Sequence, residues 1–167
     1  MSLMNEARAP APAASFRAAS EEDLATIMRL LADDPLGKYR EEAVEVEGGG
    51  VPEHTRAAFA AITADARSQR LVVMEVGGAV HGCLQLTFIP GLTHEGRERA
   101  LIEGVRVSAA MRGRGLGKAL IRHAVELARE RGCALVQLTT DKRRIEAQAF
   151  YRSLGFAASH EGMKLSL

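Results

Sequence analysis

Hydrophobic positions along the chain follow a helical spacing in four segments and a strand-like spacing in the segments between them. The spacing predicts helices over residues 20–31, 52–66, 115–131 and 145–154. It predicts strands over residues 15–19, 71–76, 80–89, 100–108 and 133–140, and short terminal strands near Phe156 and over 163–165. The order of these elements indicates an α/β fold in which the strand over 133–140 is buried.

Short polar and glycine signals mark the ends of several predicted elements. Ser20 is followed three residues later by Asp23, which resembles a helix capping box. Gly77 and Gly78 separate two strand patterns, and such a pair is typical of a tight antiparallel hairpin.

The apolar alternation of the strand over 100–108 slips by one residue at Gly104. Ile102 is followed by Val105 and Val107, and a strand with a period of two absorbs such a slip through a β-bulge. A bulge would separate this strand from the strand over 133–140 and leave backbone groups unpaired in the middle of the sheet. Alternatively, both faces of the strand are buried and no slip exists, but a glycine inside a strand favours the bulge.

Composition limits the classes of function and of partner. The chain has 167 residues, 47% of them hydrophobic, which suits a single domain over 15–167 after an Ala- and Pro-rich leader over 1–14 that is predicted to be disordered. A formal net charge of +1 gives no reason to expect binding to nucleic acid or to a membrane. Short apolar runs and the lack of a signal-peptide pattern indicate a cytoplasmic location.

Three further features of the composition bear on candidate chemistry. Cys83 and Cys133 lie in or beside apolar runs and are expected to be buried thiols. The five histidines lack the spacing of metal ligands, so no metal is expected. Between Asp33 and Glu53, seven acidic residues stand against two basic ones. This acidic segment either attracts a cationic ligand or only makes a loop soluble.

A loop rich in glycine and arginine joins the strand over 100–108 to the following helix, and it contains Arg112, Gly113, Arg114, Gly115, Leu116, Gly117 and Lys118. Glycines allow the backbone to approach a ligand closely, and a helix start offers N–H groups and a positive dipole end to an anion. The loop is not a Walker loop, because Ala119 stands where Ser or Thr would hold magnesium. Its G-x-G-x-G spacing also differs from the Rossmann fingerprint.

The remaining pattern, R-x-x-G-x-G after a strand, resembles the acyl-CoA-binding loop of the Gcn5-related N-acetyltransferase superfamily. Ala147, Tyr151, Gly155 and Phe156 form a second matching pattern, A-x-x-x-Y-x-x-x-G-F, and the element order matches over nearly the whole chain. The resemblance implies an α/β (α+β) fold with a mixed, mainly antiparallel central sheet of six to seven strands flanked by about four helices. It also implies acetyl-CoA as cosubstrate and direct transfer of its acetyl group to a primary amine of a small molecule or a protein.

The resemblance further implies a role for individual residues. Backbone and side chains that would bind the cofactor are Val105, Arg106, Val107, Arg112, Gly113, Arg114, Gly115, Leu116, Gly117, Lys118 and Arg144. The amide of Val105 or of a neighbour would polarise the thioester carbonyl. Many relatives carry Asn where this chain has Arg144. Lys142, Arg143 and Arg144 therefore either face the 3′-phosphate of the cofactor or form a solvated basic turn.

Two side chains are candidates for proton transfer. Tyr151 would protonate the departing thiolate of coenzyme A, as in many members of the superfamily, or else pack on the sheet as a helix aromatic. Glu103 lies on the strand beside the proposed gap. It would accept a proton from the amine through water, or else form an ordinary ion pair with Arg106 or Arg99.

An alternative to the enzyme is a non-catalytic acyl-CoA-binding sensor module, which would need the phosphate-binding loop but neither Tyr151 nor a base. Binding of single-stranded RNA through Arg-Gly repeats is disfavoured by an aromatic content of 4%. The sequence does not identify the acceptor, because polyamines, aminoglycosides, amino acids and protein amines all fit the same machinery. A homodimer through the terminal strands is compatible with the sequence.

Overall fold

The computed structural model describes residues 13–33 and 50–167. Its strands are β1 (Ser15–Ala18), β2 (Gln69–Val76), β3 (Ala79–Ile89), β4 (Arg99–Val107) and β5 (Leu135–Leu138). Its α-helices are α1 (Leu24–Ala32), α2 (Glu53–Ala64), α3 (Leu116–Glu130) and α4 (Ile145–Ser153). The strands form one sheet in the order β1-β2-β3-β4-β5, in which only the β4–β5 pair is parallel.

The two faces of the sheet are covered by different helices. Helix α3 contacts β3, β4 and β5, whereas α1 contacts β3 and β4, and α2 contacts β2. The larger core cluster lies on the α3 face and contains Val72, Met74, Leu84, Leu86, Phe88, Ala100, Ile102, Leu116, Leu120, Ile121, Ala124 and Ala128. The smaller cluster lies on the α1 face and contains Ile27, Leu30, Val73 and Cys83. Alternate residues of β2 and β3 therefore enter opposite cores, as the strand period of two requires.

The helices and the hairpin follow the predicted pattern closely. Each α-helix lies within two residues of its predicted bounds, except that a 3-10 turn over Glu21–Asp23 replaces the first turn of the helix predicted from Ser20. Asp23 Oδ2 accepts hydrogen bonds from the Ser20 backbone N–H at 2.7 Å and from its hydroxyl at 3.0 Å, which confirms the polar cap. Gly77 and Gly78 have φ of 61° and 80°, and they form the predicted turn between β2 and β3.

The edge of the sheet after β5 corrects three predictions. Five strands are present in the described residues, rather than six to seven, and no strand forms near Phe156 or over 163–165. Met163 and Leu165 are exposed, so their alternation with polar residues has no core to enter. The strand predicted over 133–140 as buried is shorter, Leu135–Leu138, and is only half-buried because it lies at the end of the strand order.

Several predictions concern residues outside the described ranges. The leader over 1–14 falls there except for residues 13 and 14, and so does nearly all of the acidic segment from Asp33 to Glu53. In the described ranges, no helix is long and apolar enough to cross a membrane, and no cluster of His, Cys, Asp and Glu could hold a metal ion. Cys83 is buried as expected, Cys133 is half-buried, and both are free thiols.

Candidate functional site

Strand β4 contains the bulge that its sequence predicts at Gly104. Cys83 pairs with Arg106 and Gln85 pairs with Glu103, so one residue of β3 lies opposite two residues of β4. Gly104 has φ of 61°, a left-handed conformation that residues with a Cβ adopt at a cost. The prediction of a bulge is therefore confirmed, and the glycine accounts for its position.

The same strand separates from β5 after Ile102. The parallel pairing begins at Arg99 with Leu135 and ends at Ile102 with Leu138, while β4 continues to Val107. The backbone of residues 103–107 thus extends beyond the β4–β5 ladder, and we call this region the sheet gap. Backbone N–H and C=O groups at such a place are suited to pair with an extended ligand.

The loop after β4 leads directly into the N-terminus of α3. Gly113 and Gly115 have φ of 75° and 82°, and Gly115 immediately precedes the helix. The backbone N–H of Ala119 donates to the carbonyl oxygen of Gly115 at 3.2 Å. The amides of residues 116–118 precede this bond, so they belong to the first turn, whose N–H groups have no partner within a helix. A 15-residue helix adds the positive end of its dipole at the same place.

The side chain of Arg112 connects this loop to α1. Its Nε donates to the carbonyl oxygen of Val107 at 3.1 Å, and its Nη2 donates to Asp33 Oδ2 at 2.8 Å. Both partners of the ion pair are half-exposed, so the pair is worth little as a source of stability. The structure thus places the guanidinium of Arg112 against the end of α1, and a role in cofactor binding stays a prediction.

Tyr151 lies in an aromatic environment on α4. Its ring meets those of Phe150 and Phe156 edge to face, with centroids 5.2 and 5.9 Å away. Burial raises the pKa of Tyr151, while the nearby charges of Arg106 and Arg144 oppose that rise. The phenol is therefore protonated at neutral pH and can donate a proton. Arg106 comes from β4 in the sheet gap, so the structure brings Tyr151, Arg106 and Arg144 together there.

The three basic side chains of the turn before α4, at Lys142, Arg143 and Arg144, have different surroundings. Arg143 donates from Nη2 and Nε to the carboxylate of Asp141 at 2.7 and 3.0 Å, and Lys142 pairs with Glu161 at 2.5 Å. Arg144 instead occupies the N-cap position of α4. Of the three, Arg144 is the one whose charge acts on Tyr151.

Glu103 lies on β4 immediately before the bulge and is exposed. Its register partner Gln85 donates from Nε2 to Oε1 of Gln69 on β2 at 3.0 Å. The sequence pattern does not single out Gln69 and Gln85 as site residues. A signal was present, because Gln85 is a polar residue between Leu84 and Leu86 in an otherwise apolar stretch of strand.

The arrangement combines a helix start suited to bind an anion, an opened strand and a protonated phenol within one region of the fold. Residues 25–156 match the model of the Acetyltransferase (GNAT) family. Because this match covers more than three quarters of the chain, it identifies the family directly rather than through the fold alone.

Individual relatives agree with that match. The chain is 39% identical over 90 residues to glucosamine 6-phosphate N-acetyltransferase of Trypanosoma brucei brucei, covering 54% of this chain and 59% of that protein. It is 32% identical over 93 residues to streptothricin acetyltransferase of Streptomyces lavendulae, covering 56% of this chain and 47% of that protein. The matched segments thus span about half the length of these two relatives.

A solved structure extends the similarity over nearly the whole chain. It is that of a protein from Bacillus halodurans C-125 described as a transcriptional regulator. The TM-score is 0.86 and the identity 46%, covering 93% of this chain and 100% of that one. Together with the family match and the geometry around β4, these similarities establish that the chain belongs to the acetyltransferase (GNAT) family.

Proposed function

We propose that this protein is an acetyl-CoA-dependent N-acetyltransferase that transfers an acetyl group directly to a primary amine of a small molecule or a protein. The observation that carries the proposal is the bulge at Gly104 together with the end of the β4–β5 ladder at Ile102. These features open the backbone of β4 at the point where the loop to α3 begins. An extended acyl carrier with an anionic head can use both features at once.

The residues around the opening fit the chemical groups of acetyl-CoA. The amides of Leu116, Gly117 and Lys118, with the exposed side chains of Arg114 and Lys118, would bind the diphosphate. The backbone of residues 105–107 would pair with the amides of the pantetheine arm. When bound, acetyl-CoA supplies a thioester carbonyl, and the N–H of Val105 or of a neighbouring residue would stabilise the negative charge that develops on its oxygen.

The transfer itself requires the acceptor nitrogen to lose two protons and the sulfur to gain one. Glu103 would take a proton from the ammonium group of the acceptor through water, because a lysine-like amine with a pKa of about 10.4 is almost fully protonated at pH 7. The neutral nitrogen then forms a bond to the carbonyl carbon while the carbon–sulfur bond breaks. Tyr151 would protonate the departing thiolate, and the second proton that the acylated nitrogen loses would restore the phenol through water. The products are the acetylated amine and coenzyme A, with no acyl-enzyme between them.

The similar Bacillus halodurans protein favours a second candidate function, because it is described as a transcriptional regulator. This chain would then be a non-catalytic module that binds acyl-CoA and signals to a partner. Such a module would use the loop after β4 and the sheet gap, but it would need neither Tyr151 nor Glu103. A cytoplasmic location, the absence of nucleic-acid and membrane partners, and assembly as a homodimer remain parts of the proposal.

The proposal is tested by measuring thiol release from acetyl-CoA across a panel of polyamines, amino sugars, amino acids and peptides. Thermal unfolding with acetyl-CoA, coenzyme A or a single-stranded oligonucleotide measures binding separately, because a ligand of the native state raises the melting temperature. Turnover with any amine supports the enzyme. Stabilisation by acetyl-CoA without turnover across the panel supports the sensor module. No stabilisation by acetyl-CoA even at millimolar concentration would overturn both.

A further inference from the structure

A row of polar side chains crosses the sheet beside the proposed reaction centre. Gln85 on β3 is in register with Glu103 on β4, and this is the last pair before the bulge. On its other side, Gln85 is hydrogen-bonded to Gln69 on β2 at 3.0 Å. The two glutamines are half-buried and Glu103 is exposed, so the row runs from the covered part of the sheet to the solvent. We call Gln69, Gln85 and Glu103 the polar row.

The polar row lies on the sheet face opposite to the larger core. Leu84 and Leu86 are fully buried in the core on the α3 face. Because successive side chains of a strand point to opposite faces, Gln85 points to the α1 face, as Cys83 does. Directly opposed residues of antiparallel strands have their Cβ atoms about 4.5–5.5 Å apart. One small ligand can therefore reach the amide of Gln85 and the carboxylate of Glu103 together.

The hydrogen bond to Gln69 uses an N–H of Gln85 and leaves its carbonyl oxygen as an acceptor for such a ligand. The NH₂ group of Gln85 is turned towards β2, where Gln69 accepts its hydrogen. The carbonyl oxygen of the same amide is a hydrogen-bond acceptor. Gln85 and Glu103 then both present hydrogen-bond acceptors. A ligand that fits this pair supplies two donors, and an anionic group at the same place is disfavoured.

We propose that the polar row selects the acceptor, and that Gln85 favours amines that carry a hydroxyl group on the carbon next to the amine-bearing carbon. The inference rests on the proposed function, since it assumes that Glu103 faces the reacting amine. With the nitrogen at Glu103, a hydroxyl separated from it by two carbon atoms would reach the carbonyl oxygen of Gln85. The substrate class is that of vicinal amino alcohols, which includes amino sugars. Gln85 is the residue that determines specificity, and Gln69 is a positioning residue.

The test compares two amines that differ by one hydroxyl group, trans-2-aminocyclohexanol and cyclohexylamine. The wild-type protein is expected to show a kcat/KM at least about tenfold higher for the amino alcohol, the size of effect that one hydrogen-bonded hydroxyl produces. Gln85→Met keeps the length of the side chain and removes both polar atoms. It is expected to bring the ratio close to one, because it removes the group that would bind the hydroxyl.

Two further variants control this result. Gln69→Met removes the partner that orients Gln85, and it is expected to lower the ratio partly, mainly through a higher KM for the amino alcohol. Gln137→Met replaces an exposed glutamine on β5 and is expected to keep the wild-type ratio. Thermal unfolding of each variant with acetyl-CoA reports whether it is folded and binds the cosubstrate.

The outcomes separate the inference from the function on which it rests. If the wild-type protein acetylates both amines equally, or if Gln85→Met and Gln69→Met both keep a tenfold ratio, the polar row does not select the acceptor and the proposed function stands. If the wild-type protein binds acetyl-CoA but acetylates no amine in the panel, the proposed function fails and the inference fails with it.

Discussion

At the scale of the residue, Tyr151 offers the sharpest test of the chemistry. Its ring is held between Phe150 and Phe156, and burial keeps the phenol protonated by raising its pKa above 10.0. Tyr151→Phe keeps the ring and removes only the proton donor. We expect kcat to fall about tenfold or more, with the dissociation constant for acetyl-CoA nearly unchanged. Steady-state kinetics together with calorimetric titration measure the two quantities, and an unchanged kcat would refute the role of Tyr151 as an acid.

The role of Glu103 as a base is tested by measuring how the activity of Glu103→Gln depends on pH. Without a base, reaction depends on the fraction of acceptor that is already neutral, and this fraction rises tenfold per pH unit below an amine pKa of about 10.4. Glu103→Gln is therefore expected to lower kcat/KM about tenfold or more near pH 7 and much less near pH 9. Glu126→Gln, on the exposed face of α3, serves as the matched control. A loss that is equally large at both pH values would contradict general-base catalysis.

At the scale of the element, the bulge in β4 is expected to matter for function more than for stability. Gly104→Ala places a Cβ at φ of 61°, and this Cβ meets the side chain of Leu31 at an ordinary 3.6 Å. The cost is conformational, about 1–2 kcal/mol. We expect the free energy of unfolding to fall by the same amount. Because the strand can relieve the strain by flattening the bulge, we also expect the affinity for acetyl-CoA, measured by titration, to be at least fivefold weaker.

Gly78→Ala is the matched control for that change. Gly78 has φ of 80° in the hairpin turn between β2 and β3, with open space around its Cβ position. Its substitution is expected to cost a similar amount of stability without changing the affinity for acetyl-CoA. If the two variants lose stability equally and both bind acetyl-CoA as tightly as the wild-type protein, the bulge does not form the cofactor site.

Local sequence patterns predict the elements whose structure depends on nearby residues. They do not predict a strand whose formation depends on pairing with a residue far away in the sequence. Leu120, Ile121 and Ala124 predict α3 because the helical period alone identifies its buried face. The slip at Gly104 predicts the bulge because the period of a strand cannot absorb it otherwise. The prediction of terminal strands is wrong. Met163 and Leu165 alternate with polar residues as in a strand, but no neighbouring strand pairs with them in the structure.

The candidate site also contains some features that the sequence predicts and others that only the fold creates. The loop around Gly113 and Gly115 is visible in the sequence because spacing and composition are local properties. The ion pair of Arg112 with Asp33 joins residues 79 positions apart, and the bond of Gln85 to Gln69 depends on the strand register. Neither contact has a local signature, so only the fold brings these residues together.

At the scale of the whole molecule, the two faces of the sheet are suited to different tasks. The α3 face contains the larger core and the helix start that would bind the cofactor. The α1 face contains the smaller core and the polar row. Arg112 connects the two sides, because it bonds both the end of β4 and Asp33 after α1. The sheet gap lies between them, so on the proposed function an acyl group held from one side would be accessible to an amine from the other.

The stability of the whole fold is expected to depend on pH through the contact between β1 and α3. His123 of α3 stacks on Phe16 of β1, with ring centroids 4.6 Å apart and an interplanar angle of 10°. Burial lowers the pKa of His123 below 6.5, and Arg70 of β2 acts in the same direction while Glu130 opposes it. In the acid range, Asp23 acts separately, because hydrogen bonds from Arg17 lower its pKa from 3.8 to about 2.

The sign of the His123 effect follows from the direction of its shift. Between its lowered pKa and 6.5, the unfolded chain binds a proton at His123 that the folded protein does not, so acid favours unfolding. The contribution is complete above pH 6.5 and is lost as the pH falls through this window. We expect the unfolding free energy from urea titrations to fall between pH 7 and pH 5 less steeply in His123→Phe, which keeps the stack without a titratable group. Between pH 7.5 and 8.5, where His123 is neutral in both states, the two proteins should show the same slope. Identical slopes between pH 7 and pH 5 as well would show that this histidine does not couple folding to protonation.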